Sequence, residues 1–254
     1  MGSLWNVLLI AVLATFCGRA VADTCSEATQ DELVAKIVDD FGLTEVHDSQ
    51  NVPYQTLYSQ ANGEAVGQLR VWQGADVKKL VALSVRFPDP PMSAHLVVAF
   101  RARDSKMPHF LFDLVETPKN LSFLVDLLPK SDLAADLATV RRLYAGLEPA
   151  FLRADQNPDF TQNALPPLFK VFLSPFKIAK TTDSVRCQAA KATIHSYYEY
   201  WSSQELEARS APQTAVRDRY VRRQLFSPEI DPAWGAVDSL VGKDVGASLR
   251  AQFQ

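Results

Sequence analysis

Between residues 54 and 128 the chain carries five short apolar runs in close succession. They read "EAVGQLRVWQG", "VKKLVALSVRF", "AHLVVAF", "HFLFDLVE" and "LSFLVDLL". Each is rich in Val, Leu and Phe, and each is cut from the next by Gly, Pro, Asp or Asn, the pattern of successive β-strands. Connections this brief leave no room for crossover helices, so the strands are expected to form an antiparallel meander. Helical periods stand on both sides. "SEATQDELVAKIVDDFG" places Leu33, Ile37 and Phe41 on one stripe, with Ser26 or Thr29 as its cap and Gly42 at its end. "SDLAADLATVRRLYAGL" repeats the pattern from an N-cap at Ser131. "LPPLFKVFLSPFKIAK" reads as one more strand broken at Pro175. "TTDSVRCQAAKATIHSYYEYWSSQELEARS" reads as a long helix, and "TAVRDRYVRRQLF" and "AVDSLVGKDVGASLRAQFQ" read as further helices. The fold class predicted from this order is α+β: a central antiparallel sheet flanked by helices.

The first 22 residues stand apart. An apolar run from Val7 to Phe16 precedes Ala20 and Ala22, which occupy the small-residue positions of a cleavage site. The stretch reads as a secretory signal peptide, too short to span a bilayer comfortably, and leaves residues 23–254 as one domain. With 29 acidic against 26 basic residues the chain is mildly acidic, a poor prior for nucleic-acid binding. Past the leader two cysteines remain, Cys25 and Cys187, and a disulfide and two free thiols are equally consistent with that count. Asn120 opens an Asn-Leu-Ser glycosylation sequon.

Nucleotide-binding and hydrolase signatures are missing: there is no P-loop, G-x-G-x-x-G, G-x-S-x-G or H-E-x-x-H. No Cys/His cluster is spaced as zinc ligands are. What is left is acid–base chemistry in an apolar setting. Two strands each carry one aspartate, Asp113 and Asp126, and a carboxylate among apolar neighbours is expensive unless it is bound or protonated. Alternation puts Asp113 on one face with His109, Leu111 and Val115. Arg217, Arg219, Arg222 and Arg223 concentrate positive charge in "RDRYVRR". That segment is either a solvated helix face or a docking patch for an acidic partner.

Taken in order, these blocks resemble the red chlorophyll catabolite reductase family, relatives of the ferredoxin-dependent bilin reductases. "PHFLFDLVE" is similar to the family's Pro-Asn-φ-Leu-φ-Glu-φ strand, and "VDLLPKSDL" with Leu143-Tyr144 is similar to its Leu-Asp-Leu-Pro segment. Leu173–Pro175, Ala189–Lys191, Arg217-Asp218, Arg222-Arg223 and Glu229–Asp231 follow at comparable spacing. The likeness runs from about residue 60 to the end. Here the family's strand glutamate is Asp113 and its asparagine is His109.

The resemblance implies an α/β/α sandwich that holds a linear tetrapyrrole between the sheet and the C-terminal helices. It implies an oxidoreductase that reduces red chlorophyll catabolite to the primary fluorescent catabolite. Electrons would come singly from reduced ferredoxin, with no flavin or metal bound to the reductase. Asp113 and Asp231 map to the family's two important acids, as proton donors or pyrrole N–H ligands. His109, Leu111, Val115, Leu173 and Ser174 would contact substrate, and Arg217, Arg219, Arg222 and Arg223 would dock ferredoxin. Asp126 is read as structural, and a homodimer is left open. The leader points to the secretory route, ending in the plastid of a complex-plastid alga or outside the cell. An exported tetrapyrrole carrier is the alternative function.

Overall fold

The computed structural model describes residues 24–47, 51–52, 55–103, 105–134, 137–204 and 212–254. The expected signal peptide, residues 1–22, lies outside them, as does the 205–210 end of the expected long helix.

Helix α1 (Cys25–Phe41) opens the described chain and is capped one residue before its start. The Thr24 hydroxyl accepts the Glu27 N–H. Ser26 and Thr29, expected as caps, instead lie within the helix, where Ser26 bonds to Ser93 of the sheet and Thr29 donates to the Cys25 carbonyl. The helix stops at Gly42, whose φ of 55° is a left-handed value that glycine adopts without steric cost.

The sheet contains β1 (Thr44–Glu45), β2 (Gln55–Tyr58), β3 (Ala65–Gln73), β4 (Val77–Phe87), β5 (Met92–Arg101), β6 (His109–Glu116), β7 (Asn120–Leu128), β8 (Thr161–Gln162) and β9 (Ile178–Asp183). Its order is β1-β3-β4-β5-β6-β7-β9-β8, with β2 also on β3, and every pairing is antiparallel. The five runs predicted from sequence are β3 to β7, a plain meander. β3 can lie against β4 at Gly67 only because glycine has no side chain: a Cβ there would sit 2.1 Å from the Ser84 carbonyl oxygen.

Between β7 and β9 come α2 (Leu137–Tyr144), α3 (Glu148–Asp155) and α4 (Pro167–Lys170). "PLFK" is therefore helical, not part of a strand. Proline is tolerated in a first helical turn, whose N–H groups have no partner within the helix. After β9 follow α5 (Cys187–Ser202), α6 (Pro212–Leu225), α7 (Ala233–Val241) and α8 (Lys243–Phe253). The last two were expected as one helix and are split at Gly242, whose φ is 91°.

Both faces of the sheet are covered. On one, Phe110, Phe112 and Phe123 pack against Leu33 and Ile37 of α1 and Ile194, Tyr198 and Trp201 of α5. A disulfide joins Cys25 to Cys187 and so ties these two helices together. On the other face Leu83, Val98, Leu111 and Leu124 pack against Phe169, Leu225, Phe226, Trp234 and Phe253, from α4 and from the chain that runs through α6 to α8. The result is an α/β/α sandwich. No described helix is long and apolar enough to cross a membrane.

Candidate active site

Asp113 lies mid-way along β6, opposite Leu96 of β5 and Leu124 of β7. Strand alternation sends it to the face covered by α7, with Leu111 and Val115 two residues to either side. Its neighbours in the sheet are aliphatic, so the carboxylate gives up hydration and gains little for it. Burial, reinforced by the negative charge of Asp231, pushes its pKa up to about 7, while a backbone hydrogen bond from Leu114 pulls the other way.

Asp231 comes from the opposite wall. It closes the link between α6 and α7, where its carboxylate accepts the Ala233 N–H at 3.1 Å and its carbonyl accepts the Trp234 N–H at 3.3 Å. These bonds fix it at the first turn of α7. Burial raises its pKa as well, against the pull of the Ala233 N–H. Two carboxyls thus line one space, and burial shifts both toward their protonated forms.

The space is a cavity of about 80 Å³ lined by both acids. Leu83, Leu96 and Leu124 form its floor, and Phe226, Trp234 and Val237 form its roof. Leu111 and Val115, expected as contact residues, line it too. A larger, open groove of about 1040 Å³ runs between β2 and the α7–α8 junction, but neither acid reaches it. Raised acids in an apolar enclosure, rather than volume, mark a candidate active site.

The remaining predicted contact residues lie elsewhere. His109 shares the Asp113 face but stands four residues along β6, about 13 Å away by strand rise, and does not line the cavity. Its Nδ1 accepts the Arg101 backbone N–H at 3.0 Å, so the proton is on Nε2, which donates to Asp218 of α6 at 2.6 Å. Burial drives the His109 pKa down to about 4, and Asp218 offsets this only in part. The ring is a neutral clamp between sheet and α6. Ser174 is fully buried, and both its backbone N–H and its hydroxyl donate to Asp126. That carboxylate therefore anchors the turn before β9, and Leu173 packs in the apolar layer beside it without reaching the cavity.

The arginine patch divides. Arg217, Arg219 and Arg223 are exposed on α6. Arg222 is buried, and this corrects its expected place in a docking surface. It pairs with Asp218 at 3.3 Å and lies 4.9 Å from the Phe100 ring centre. Position decides this: Arg222 is one helical turn on from Asp218 and shares its inward stripe.

Trp234, Phe226 and Leu96 were not singled out from sequence. Leu96 follows from Asp113 once the β5–β6 register is known, but register is set by long-range pairing that no local pattern reveals.

The fold this architecture defines is that of a single antiparallel sheet between two helical layers, with the acid-lined cavity under the C-terminal helices. A solved structure with the same fold is that of phytochromobilin synthase from tomato in complex with biliverdin. The match has a TM-score of 0.69 and 18% sequence identity, and covers 88% of this chain and 82% of that one. No family model matches the sequence, and no curated protein matches it.

Proposed function

We propose that the protein is a ferredoxin-dependent reductase of a linear tetrapyrrole, with red chlorophyll catabolite as its substrate. One observation carries the reading: Asp113 from the sheet and Asp231 from the helical layer meet across one apolar cavity. The fold shared with a biliverdin-bound synthase and the ordered sequence blocks support it.

A linear tetrapyrrole is a flat apolar body with polar N–H and carbonyl edges. A sheet floor and an aromatic roof suit its faces, and the acids suit its edge. Reduction takes two electrons and two protons. Two reduced ferredoxins are oxidised, each giving one electron, and the protons go to the pigment carbons that become saturated. Asp113, with a pKa near 7, is poised to deliver one of these protons as electron density builds on the pigment, and to recover it from solvent. Asp231 orients the pyrrole N–H edge and supplies the second. Acidic ferredoxin meets the exposed Arg217, Arg219 and Arg223 of α6.

The cavity is far below the roughly 300–1,000 Å³ that a drug-sized ligand occupies. Pigment entry therefore requires the cavity to widen, by displacement of the α7 roof over the sheet.

A second reading, an exported pigment carrier, is favoured by the Cys25–Cys187 disulfide, which suits an oxidising compartment where reduced ferredoxin is not expected. Asp113→Asn separates the two. A reductase variant binds pigment but does not bleach it when reduced ferredoxin is supplied. A carrier bleaches nothing in either form and shows only an altered affinity or spectrum.

A further inference from the structure

Trp234 lines the cavity and carries a buried donor that the acid chemistry leaves unused. Its ring lines the cavity beside Asp231, and its indole N–H is buried with no acceptor among the described residues. A buried donor without a partner carries an uncompensated desolvation cost, and here the cavity walls are otherwise Leu, Val, Ala and Phe apart from the two acids. The indole is also held in place. Its ring sits 5.9 Å from that of Phe253 and 5.7 Å from the Arg250 guanidinium, which is itself paired with Asp238. The Trp234 backbone N–H bonds to the Asp231 carbonyl, so donor and acid are fixed on one helical turn.

We propose that Trp234 is a substrate-positioning residue whose indole N–H donates to a carbonyl oxygen of the bound tetrapyrrole, the lactam oxygen of a terminal ring. This deepens the tetrapyrrole reading and rests on it. Fixing one lactam oxygen beside Asp231 determines which edge of the pigment is offered to the two acids, so the N–H contributes to the choice of reduced position as well as to affinity.

The test is an absorbance titration of the full chain with biliverdin, repeated on Trp234→Phe, which keeps an aromatic wall and removes the donor. Binding about tenfold weaker, the effect of losing roughly 1.4 kcal/mol, with a displaced pigment band and an undiminished melting temperature, is the expected result. Val237→Ala, which trims the same roof without touching a donor, should weaken binding and leave the band in place. In the wild-type chain the Trp234 indole ¹⁵N–¹H resonance should move downfield on adding biliverdin, a readout that does not depend on any variant folding. Equal affinity and an unmoved band in Trp234→Phe, or an unmoved indole resonance in a biliverdin-saturated wild type, overturns the inference while the tetrapyrrole reading stands. A wild type that binds no pigment removes both.

A separate observation concerns Asn120. Asn120-Leu121-Ser122 is the sole Asn-x-Ser/Thr triplet in the 254 residues. It falls where β7 begins, directly after the turn from β6. Asn120 is exposed, its side-chain amide bonds to no described residue, and its backbone alone closes the turn through Thr117. Within the same corner, Asn120 pairs with Asp183, and the chain then runs into Cys187 and the disulfide to Cys25. A sequon presented on an open turn and a formed disulfide are two independent marks of passage through an oxidising secretory compartment. We infer that Asn120 is N-glycosylated. Alternation puts it on the same sheet face as Leu124, two residues past Ser122, which pairs with Val115. A glycan there stands beyond the Val115 end of the cavity, clear of the cavity itself.

Secretion of the full chain from a eukaryotic host should yield a species whose mobility on gels increases after digestion with peptide N-glycosidase. Asn120→Gln and Ser122→Ala should abolish the change, and Ser122→Thr, which keeps the sequon, should retain it. A secreted chain with no glycosidase-sensitive change, a change that survives in Asn120→Gln, or a chain that never enters the secretory route overturns the inference.

Discussion

Asp113 holds its proton at a cost to stability. Its pKa is about 7 in the folded chain and 3.8 in the absence of burial. Below that lower value both folded and unfolded chains carry the proton. Between there and about 7 the folded chain keeps a proton that the unfolded chain has lost, so stability falls as pH rises through this window. Asp113→Asn removes that slope and should be more stable than wild type at pH 8 by about 1–3 kcal/mol, measured by urea unfolding at several pH values. The same substitution should lower turnover by about 10²- to 10⁴-fold while pigment binding persists. Wild-type turnover should decline as pH climbs through 7 and the acid is lost, seen in a pH–rate profile. Arg222 supports structure, not docking. Arg222→Ala removes the guanidinium beside buried Asp218, leaving it neutral His109 and the more distant charge of Lys130, and should cost about 3 kcal/mol in thermal or urea unfolding.

At the scale of elements, α6 and α7 divide the work. The outward side of α6 presents Arg219 and Arg223 with Val216 and Tyr220, which are 69% and 61% exposed. Reversing charge with Arg219→Glu and Arg223→Glu together should raise the KM for ferredoxin roughly tenfold or more at low salt. The penalty should shrink as salt is added, and biliverdin affinity should not move. The meander was legible in sequence because each strand ends in turn residues. The face of each strand was less so. β6, "HFLFDLVE", is buried on both sides, and its apolar run hides the alternation that a half-exposed strand displays. Asp113 still stood out, since an acid in such a run is rare. Asp231 was found through family resemblance alone: nothing local shows that the turn before α7 folds back over β6. Arg222 was misplaced because charge in a sequence does not say which helical stripe faces in.

For the whole molecule, the disulfide joins α1, the first described element, to α5 across 162 residues of chain. Replacing both cysteines by serine should lower stability by about 2–4 kcal/mol, with the melting temperature falling in proportion, as differential scanning calorimetry of wild type and variant would record. Backbone hydrogen bonds tie the sheet floor strand to strand, whereas the roof meets it mainly through side chains, with one backbone bond from Gln60 to Leu240 of α7, so the 80 Å³ cavity enlarges by moving the roof over an intact floor. The most direct test is an anaerobic absorbance titration with red chlorophyll catabolite, and with biliverdin beside it, followed by addition of reduced ferredoxin to wild type and Asp113→Asn. Both proteins should show a saturable change in the pigment band, and wild type alone should lose that band on reduction. No saturable change with either pigment, or equal bleaching by Asp113→Asn, would contradict it.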